Sequence, residues 1–200
     1  GVDAVKIGML HDAEVIQAVA SLLRVRCAAT PLVVDPVMVA ESGARLLAED
    51  AIDALKERLI PQATVITPNL PEAEALLGRP IPDIAAARAA AAELRERFGV
   101  AVLLKGGHLQ TRNVTDILAT ADGRELLYSG TRLETNSSHG TGCTLASAIA
   151  TRLAQGLPLE DAVEHGREYL REAIRTAVPL GKGSGPVNHG HCCGPLELKR

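Results

Sequence analysis

With 200 residues, the chain can bury one sizeable core, and its composition carries no sign of disorder or of a fibrous repeat. A formal charge of -3, with two Tyr, one Phe and no Trp, offers neither a basic stripe nor a stacking platform, which excludes nucleic acid as a partner. No apolar run approaches the roughly 20 residues of a membrane span, so no membrane is expected either. In chain order, the first ten residues lack an initiator Met and read as the interior of a strand, as in a fragment. Residues 1–30 show no signal-peptide layout. An apolar-periodic helix over 13–27 leads to a buried strand at 32–35 and to a Gly/Pro-bearing loop through Gly43. A helix over 48–59 precedes a strand at 63–67, after which Pro68 and Pro71 bracket a turn into a helix over 71–77. The Ala-rich stretch 84–98 has helix-forming composition. An apolar strand at 100–104 then ends on Lys105-Gly106-Gly107-His108. Strands at 115–120 and 125–129, separated by Asp122-Gly123, form an antiparallel hairpin at one sheet edge. Helices over 141–155 and 159–177 close one globular domain, with no internal repeat and no linker before Pro179. Alternating strands and helices with continuously apolar strands predict an α/β fold, a mostly parallel sheet with helices on both faces. Four cysteines (Cys27, Cys143, Cys192, Cys193) are too few and too irregular for a disulfide framework, so free thiols and a cytoplasmic location are expected.

In an open α/β sheet, ligands bind beyond the carboxyl ends of the strands. Here those positions carry Asp35-Pro36-Val37-Met38, Pro68-Asn69-Leu70-Pro71-Glu72, Lys105-Gly106-Gly107-His108 and the turn His139-Gly140-Thr141-Gly142-Cys143-Thr144. The last of these runs a Gly-rich turn straight into an apolar helix, where amide N–H groups and the helix dipole face an anion. Lys105 suits a nucleotide phosphate as a point charge, and Glu72 suits Mg²⁺, which leans on one or two carboxylates and phosphate oxygens. Taken singly, each residue has an ordinary explanation. Asp35 can shape a turn, Glu72 can favour a helix first turn, and Lys105 can be a solvated strand end. Their recurrence at successive strand ends points instead to phosphoryl transfer, which asks mainly for positioning and electrostatic stabilisation.

On these four motifs, in this order from Gly1 to about His189, the chain resembles the hydroxymethylpyrimidine/phosphomethylpyrimidine kinases of the ribokinase-like superfamily. The resemblance implies a three-layer ribokinase-like sandwich and ATP-dependent phosphorylation of the pyrimidine hydroxymethyl group and then of its monophosphate, giving the diphosphate used for thiamine. It also implies Mg²⁺, a small-molecule substrate and a homodimer. By the same resemblance Gly140, Thr141, Gly142 and Cys143 form the anion hole, and Cys143 is the base that deprotonates the substrate hydroxyl. Lys105 contacts ATP phosphates, Asn69 and Glu72 organise Mg²⁺ and its water, and Asp35 points to the same phosphate and metal region. Met9 and Val37 match positions lining the pyrimidine pocket, although composition alone fits ordinary core equally well.

Two departures accompany the resemblance. Family members begin with a first strand, a substrate loop and a lid-like segment, so residues 1–189 are expected to be a kinase domain lacking these parts, with a complete ATP half and weak substrate binding. Residues 190–200 are expected to be a flexible tail, in which His191, Cys192 and Cys193 lack a second spaced ligand pair for a metal site. Three other functions remain open from sequence. They are pyridoxal kinase activity, a nucleotide-binding domain without turnover, and a thiol hydrolase, for which neither His139 nor His108 is a convincing partner to Cys143.

Overall fold

The computed structural model describes residues 1–38, 47–109 and 111–193. The expected loop through Gly43 falls outside them from position 39 onward, as do residues 194–200 of the expected tail. Strands are β1 (Val5–Ile7), β2 (Leu32–Val34), β3 (Val65–Ile66), β4 (Ala101–Leu104), β5 (Asn113–Ala119) and β6 (Glu125–Thr131). Helices are α1 (Ala13–Arg26), α2 (Glu49–Ala54), α3 (Leu70–Leu77), α4 (Ile84–Phe98), α5 (Thr141–Ala154) and α6 (Leu159–Arg175).

Local chemistry explains most of these boundaries. Asp12 and Asp83 cap α1 and α4 by accepting the amides of Val15 and Ala86, each at 2.8 Å. Gly78 and Gly99 end α3 and α4 at φ of 72° and 70°, a region where a side chain would be strained. The helix expected over 48–59 is instead interrupted: α2 passes into a wider turn over Leu55–Leu59, where the Ile60 amide bonds back to the Leu55 carbonyl, and then into a 3₁₀ turn holding Pro61. Proline has no amide to continue an α-helical ladder, which accounts for the stop. The ten residues expected as one strand contribute only Val5–Ile7 to the sheet.

The six strands follow one another in chain order across a single sheet. β1 to β4 are parallel, and β4, β5 and β6 are antiparallel. Successive crossovers of one hand place α1 to α4 on the same face. There Leu32, Val34, Ile66, Val102, Leu104 and Ile117 meet the helices in one core. The alternating residues Val33, Val65, Ala101, Leu103 and Leu118 point the other way, into a second core closed by α5 and α6. Gly166 permits the close approach of these two helices, since a Cβ there would lie 2.9 Å from Ile149 Cγ1. The result is a central sheet with helices on both faces, and all four parallel strands deliver their carboxyl ends to one edge. Among the described residues no helix is long and apolar enough to cross a membrane, and no cysteine is in a disulfide. Residues 190–193 form a turn against α6, with the His191 ring 4.6 Å from that of Tyr169.

Candidate functional site

Three backbone hydrogen bonds set the site. Immediately beyond β2, β3 and β4, the Asp35 amide bonds to Ile7 O at 2.9 Å, the Thr67 amide to Val34 O at 3.0 Å and the Lys105 amide to Pro68 O at 2.9 Å. Each strand end is thus pinned to its neighbour, and three polar side chains are brought together. Lys105 Nζ donates to Asp35 Oδ1 at 2.8 Å, and Thr67 Oγ1 donates to the same oxygen at 3.0 Å. Asp35 is 2% exposed, so its carboxylate depends on these partners to remain tolerable in the interior.

Asn69 and Glu72 enter through the first turn of α3. The Asn69 side chain accepts the Glu72 amide at 2.9 Å, and Glu72 Oε2 accepts the Asn69 amide at 2.8 Å, a reciprocal capping box. Glu72 is 3% exposed. Burial pushes its carboxyl up to about 7, with the nearby Asp35 charge adding to the rise, while Lys105 and the amides of Asn69 and Met38 oppose it. Two buried carboxylates therefore share one ammonium, and the donor set is short of positive charge.

The Gly-rich turn supplies the opposite polarity. Gly140 sits at φ 82° as the residue before α5, and no side chain caps that helix. A Cβ on Gly142 would lie 3.2 Å from Lys105 Nζ and 3.7 Å from Asp35 Oδ2, so glycine lets the helix N-terminus approach the ion pair. A helix N-terminus and an ammonium converging on one spot favour an anion there. From that spot a cleft of about 560 Å³ extends between the β5–β6 hairpin and α6, a size suited to a small-molecule ligand.

The expected site residues divide by position. Lys105, Asn69, Thr141 and Gly142 line the cleft. Asp35 and Glu72 are buried, the first in contact with Lys105. Cys143 is exposed in the first turn of α5. Met9, 52% exposed beyond β1, and Val37, half-buried beyond β2, do not line this cleft. Three participants escaped the sequence reading: Thr67, Asp116 and Arg167. Neither of the first two stood out clearly: Thr67 closes the strand expected at 63–67, before Pro68, and Asp116 lies in β5 at the first of its buried positions, just ahead of the apolar Ile117-Leu118-Ala119, a place where a charge calls for a buried partner. Arg167 had no distinguishing signal in a charged helix.

A sheet whose parallel strand ends gather a paired ammonium, buried carboxylates and an uncapped glycine turn at one edge defines an α/β protein with a site fitted to an anion. Over residues 1–188 the chain matches the family described as phosphomethylpyrimidine kinase, and it belongs to that family. It is 50% identical over 189 residues to a thiamine biosynthesis bifunctional protein of Geobacter sulfurreducens, covering 94% of this chain and 38% of that protein. With a hydroxymethylpyrimidine/phosphomethylpyrimidine kinase of Rhizobium meliloti it shares 49% identity over 193 residues, covering 95% of this chain and 71% of the relative. Among solved structures, the ADP complex of Bacillus subtilis pyridoxal kinase is similar with a TM-score of 0.88 and 31% identity, covering 96% of this chain and 72% of that one. These matches bear out the expected family and the α/β, ribokinase-like architecture.

Proposed function

We propose that the chain carries the phosphate-handling machinery of an ATP-dependent kinase acting on 4-amino-5-hydroxymethyl-2-methylpyrimidine and on its monophosphate, towards the diphosphate used in thiamine biosynthesis. The observation that supports it most is the approach of Gly142 to the Lys105–Asp35 pair. Lys105 neutralises ATP phosphate charge, while Asp35, itself held by the Thr67 hydroxyl, keeps its ammonium in place. The amides at the start of α5, over Gly140, Thr141 and Gly142, receive the charge that develops on the transferring phosphoryl group. Cys143 takes the proton from the substrate hydroxyl as general base, with no covalent intermediate. Met9 and Val37, on the β1–β2 side, face the pyrimidine.

The donor set also fits Mg²⁺, because two buried carboxylates, Asp35 and Glu72, stand beside a single ammonium, and a divalent cation would favour the ionised form of the Glu72 carboxyl that burial disfavours. Glu72, with Asn69 beside it and Asp35 nearby, would hold that ion, which supplies charge neutralisation of the phosphates when bound. A homodimer belongs to the same reading and is checked by light scattering on the purified protein.

Pyridoxal is the competing substrate, favoured by the likeness to the pyridoxal kinase structure. ADP release from Mg-ATP, measured on the full-length protein with each alcohol, separates the two. Pyrimidine-dependent turnover that falls at least about a hundredfold in Cys143→Ala is the expected result. A preference for pyridoxal overturns the substrate, and undiminished turnover in Cys143→Ala overturns the base.

A further inference from the structure

Asp116 is a charged residue at the start of the buried half of β5, 7% exposed, and the chemistry proposed above makes no use of it. Its two oxygens are both engaged. Oδ1 accepts the Gly106 amide at 2.8 Å, and Oδ2 accepts Arg167 Nε from α6 at 2.7 Å. The Arg167 guanidinium lies 5.5 Å from the centroid of the Tyr128 ring, so the arginine is held between β6 and the carboxylate. Gly106 itself admits no substitute, since a Cβ there would lie 1.9 Å from the Thr115 carbonyl oxygen.

These contacts bear on Lys105 from its carboxyl side. The Lys105 amide is fixed to Pro68 O at 2.9 Å and the next amide, that of Gly106, to Asp116 at 2.8 Å. The backbone carrying the lysine is thereby anchored to β3 on one side and β5 on the other. Both Asp116 and Arg167 also line the cleft. An unpaired Asp116 carboxylate in that wall would repel a polyanion, and Arg167 cancels it.

We infer that Arg167 and Asp116 are positioning residues for nucleotide binding: together they clamp the Lys105-Gly106 backbone through the Gly106 amide, and Arg167 keeps the clamp from placing a net negative charge beside the phosphates. Asp116 provides the acceptor and Arg167 the neutralisation. The ligand affected is the polyphosphate of the nucleotide, and the pyrimidine is not. This inference rests on the proposed nucleotide-binding role of the cleft.

The separable roles give a test with a sign. Arg167→Gln strips the neutralising charge and is expected to raise KM for ATP about tenfold, with KM for the pyrimidine and kcat little changed, as for loss of uniform binding. Adding Asp116→Asn to Arg167→Gln removes the charge left without its partner while its amide oxygen still accepts from Gly106, and this double variant is expected to recover most of the ATP affinity. Asp116→Ala is expected to speed hydrogen exchange at the Gly106 amide, read by NMR without turnover, by about tenfold or more. A double variant no better than Arg167→Gln, or an unchanged Gly106 amide in Asp116→Ala, overturns the inference. Calorimetric titration with Mg-ATP, run on every variant, keeps the two readings apart. If the wild-type protein binds ATP but ignores the pyrimidine, the proposed substrate falls and the affinity series still decides the clamp. If it binds no ATP, the nucleotide reading and the charge role of Arg167 fall together, and Gly106 exchange alone decides the backbone role of Asp116.

Discussion

Glu72 shows how a single residue reports on the balance of charge in the site. Its carboxyl is raised from 4.5 to about 7 by burial, so the folded protein holds a proton that the unfolded chain has released across that interval. The folded state then binds more protons than the unfolded one, and the stability difference shrinks as pH rises. Its favourable contribution is complete below about pH 4.5 and is lost as pH passes through about 7. In magnesium-free buffer the expected loss is on the order of 3 kcal/mol, at about 1.4 kcal/mol per pH unit of displacement. Urea unfolding from pH 4.5 to 8 measures this, with Glu72→Gln as the comparison, because its amide oxygen can still accept the Asn69 amide. The variant's profile should be flatter by that amount, and parallel profiles for the two proteins would assign the charge deficit to another group. Position in the sequence pointed to Glu72, two residues after the start of a helix, but not to the burial that gives it this property. Burial arises from the packing of α3 against the sheet, and a single carboxylate in a helix first turn reads the same whether it faces water or the core.

At the scale of elements, two glycines in the α5–α6 pair separate function from stability. Gly142 is the second residue of α5, where alanine is the better helix former by roughly 0.5–1 kcal/mol. A Cβ there meets only the far end of the Lys105 side chain, at 3.2 Å, and the second carboxylate oxygen of Asp35, Oδ2, at 3.7 Å. Gly142→Ala is therefore expected to shift the ammonium slightly without breaking its pair with Asp35, leaving the melting temperature little changed while weakening Mg-ATP binding severalfold. Gly166 in α6 is the converse, because the added methyl meets Ile149 Cγ1 at 2.9 Å and the Ile149 backbone nitrogen at 3.4 Å, neither of which has room to withdraw. Gly166→Ala is expected to cost about 1–3 kcal/mol of stability by overpacking. Thermal melts and calorimetry on both variants check the pair, and a Gly142→Ala protein that melts early but binds ATP normally would reverse the assignment. Elements were the most legible level of this sequence. Apolar periodicity marked α1, alanine-rich composition α4 and the glycine turn the start of α5 to within a few residues, because these signals are local. The split of the helix after Ala54 was less legible, since it depends on how far the effect of Pro61 reaches back through the turn.

Across the whole molecule, the cleft lies where the two cores meet different elements of the same edge. Lys105 is carried by β4, Asp116 by β5 and Arg167 by α6, residues separated by up to 62 positions along the chain and joined only when the sheet and its covering helices assemble. The strand-end motifs could be read from sequence because the topology of a parallel sheet forces such residues to one edge. The Asp116–Arg167 pair could not, since its partners meet through tertiary packing with no fixed spacing. A ligand that spans these elements should therefore stabilise the fold as a unit. Mg-ADP at a hundredfold excess over its dissociation constant stabilises the native state by about 2.7 kcal/mol. For a domain of this size, that corresponds to a rise in melting temperature of roughly 5–10 °C. Replacing Lys105 by Ala removes the ammonium that faces the glycine turn and also leaves Asp35 buried without its counter-charge. Two effects then need separating: a lower melting temperature without ligand, from Asp35, and a smaller rise on adding Mg-ADP, from the phosphate. Lys105→Ala combined with Asp35→Asn removes the first effect while keeping the second. The double variant is expected to melt closer to wild type than Lys105→Ala does, yet to gain less than about half of the wild-type shift at the same nucleotide concentration. A full shift in that double variant would mean that the nucleotide draws its affinity from the cleft wall and the helix N-terminus, leaving Lys105 to the chemistry alone.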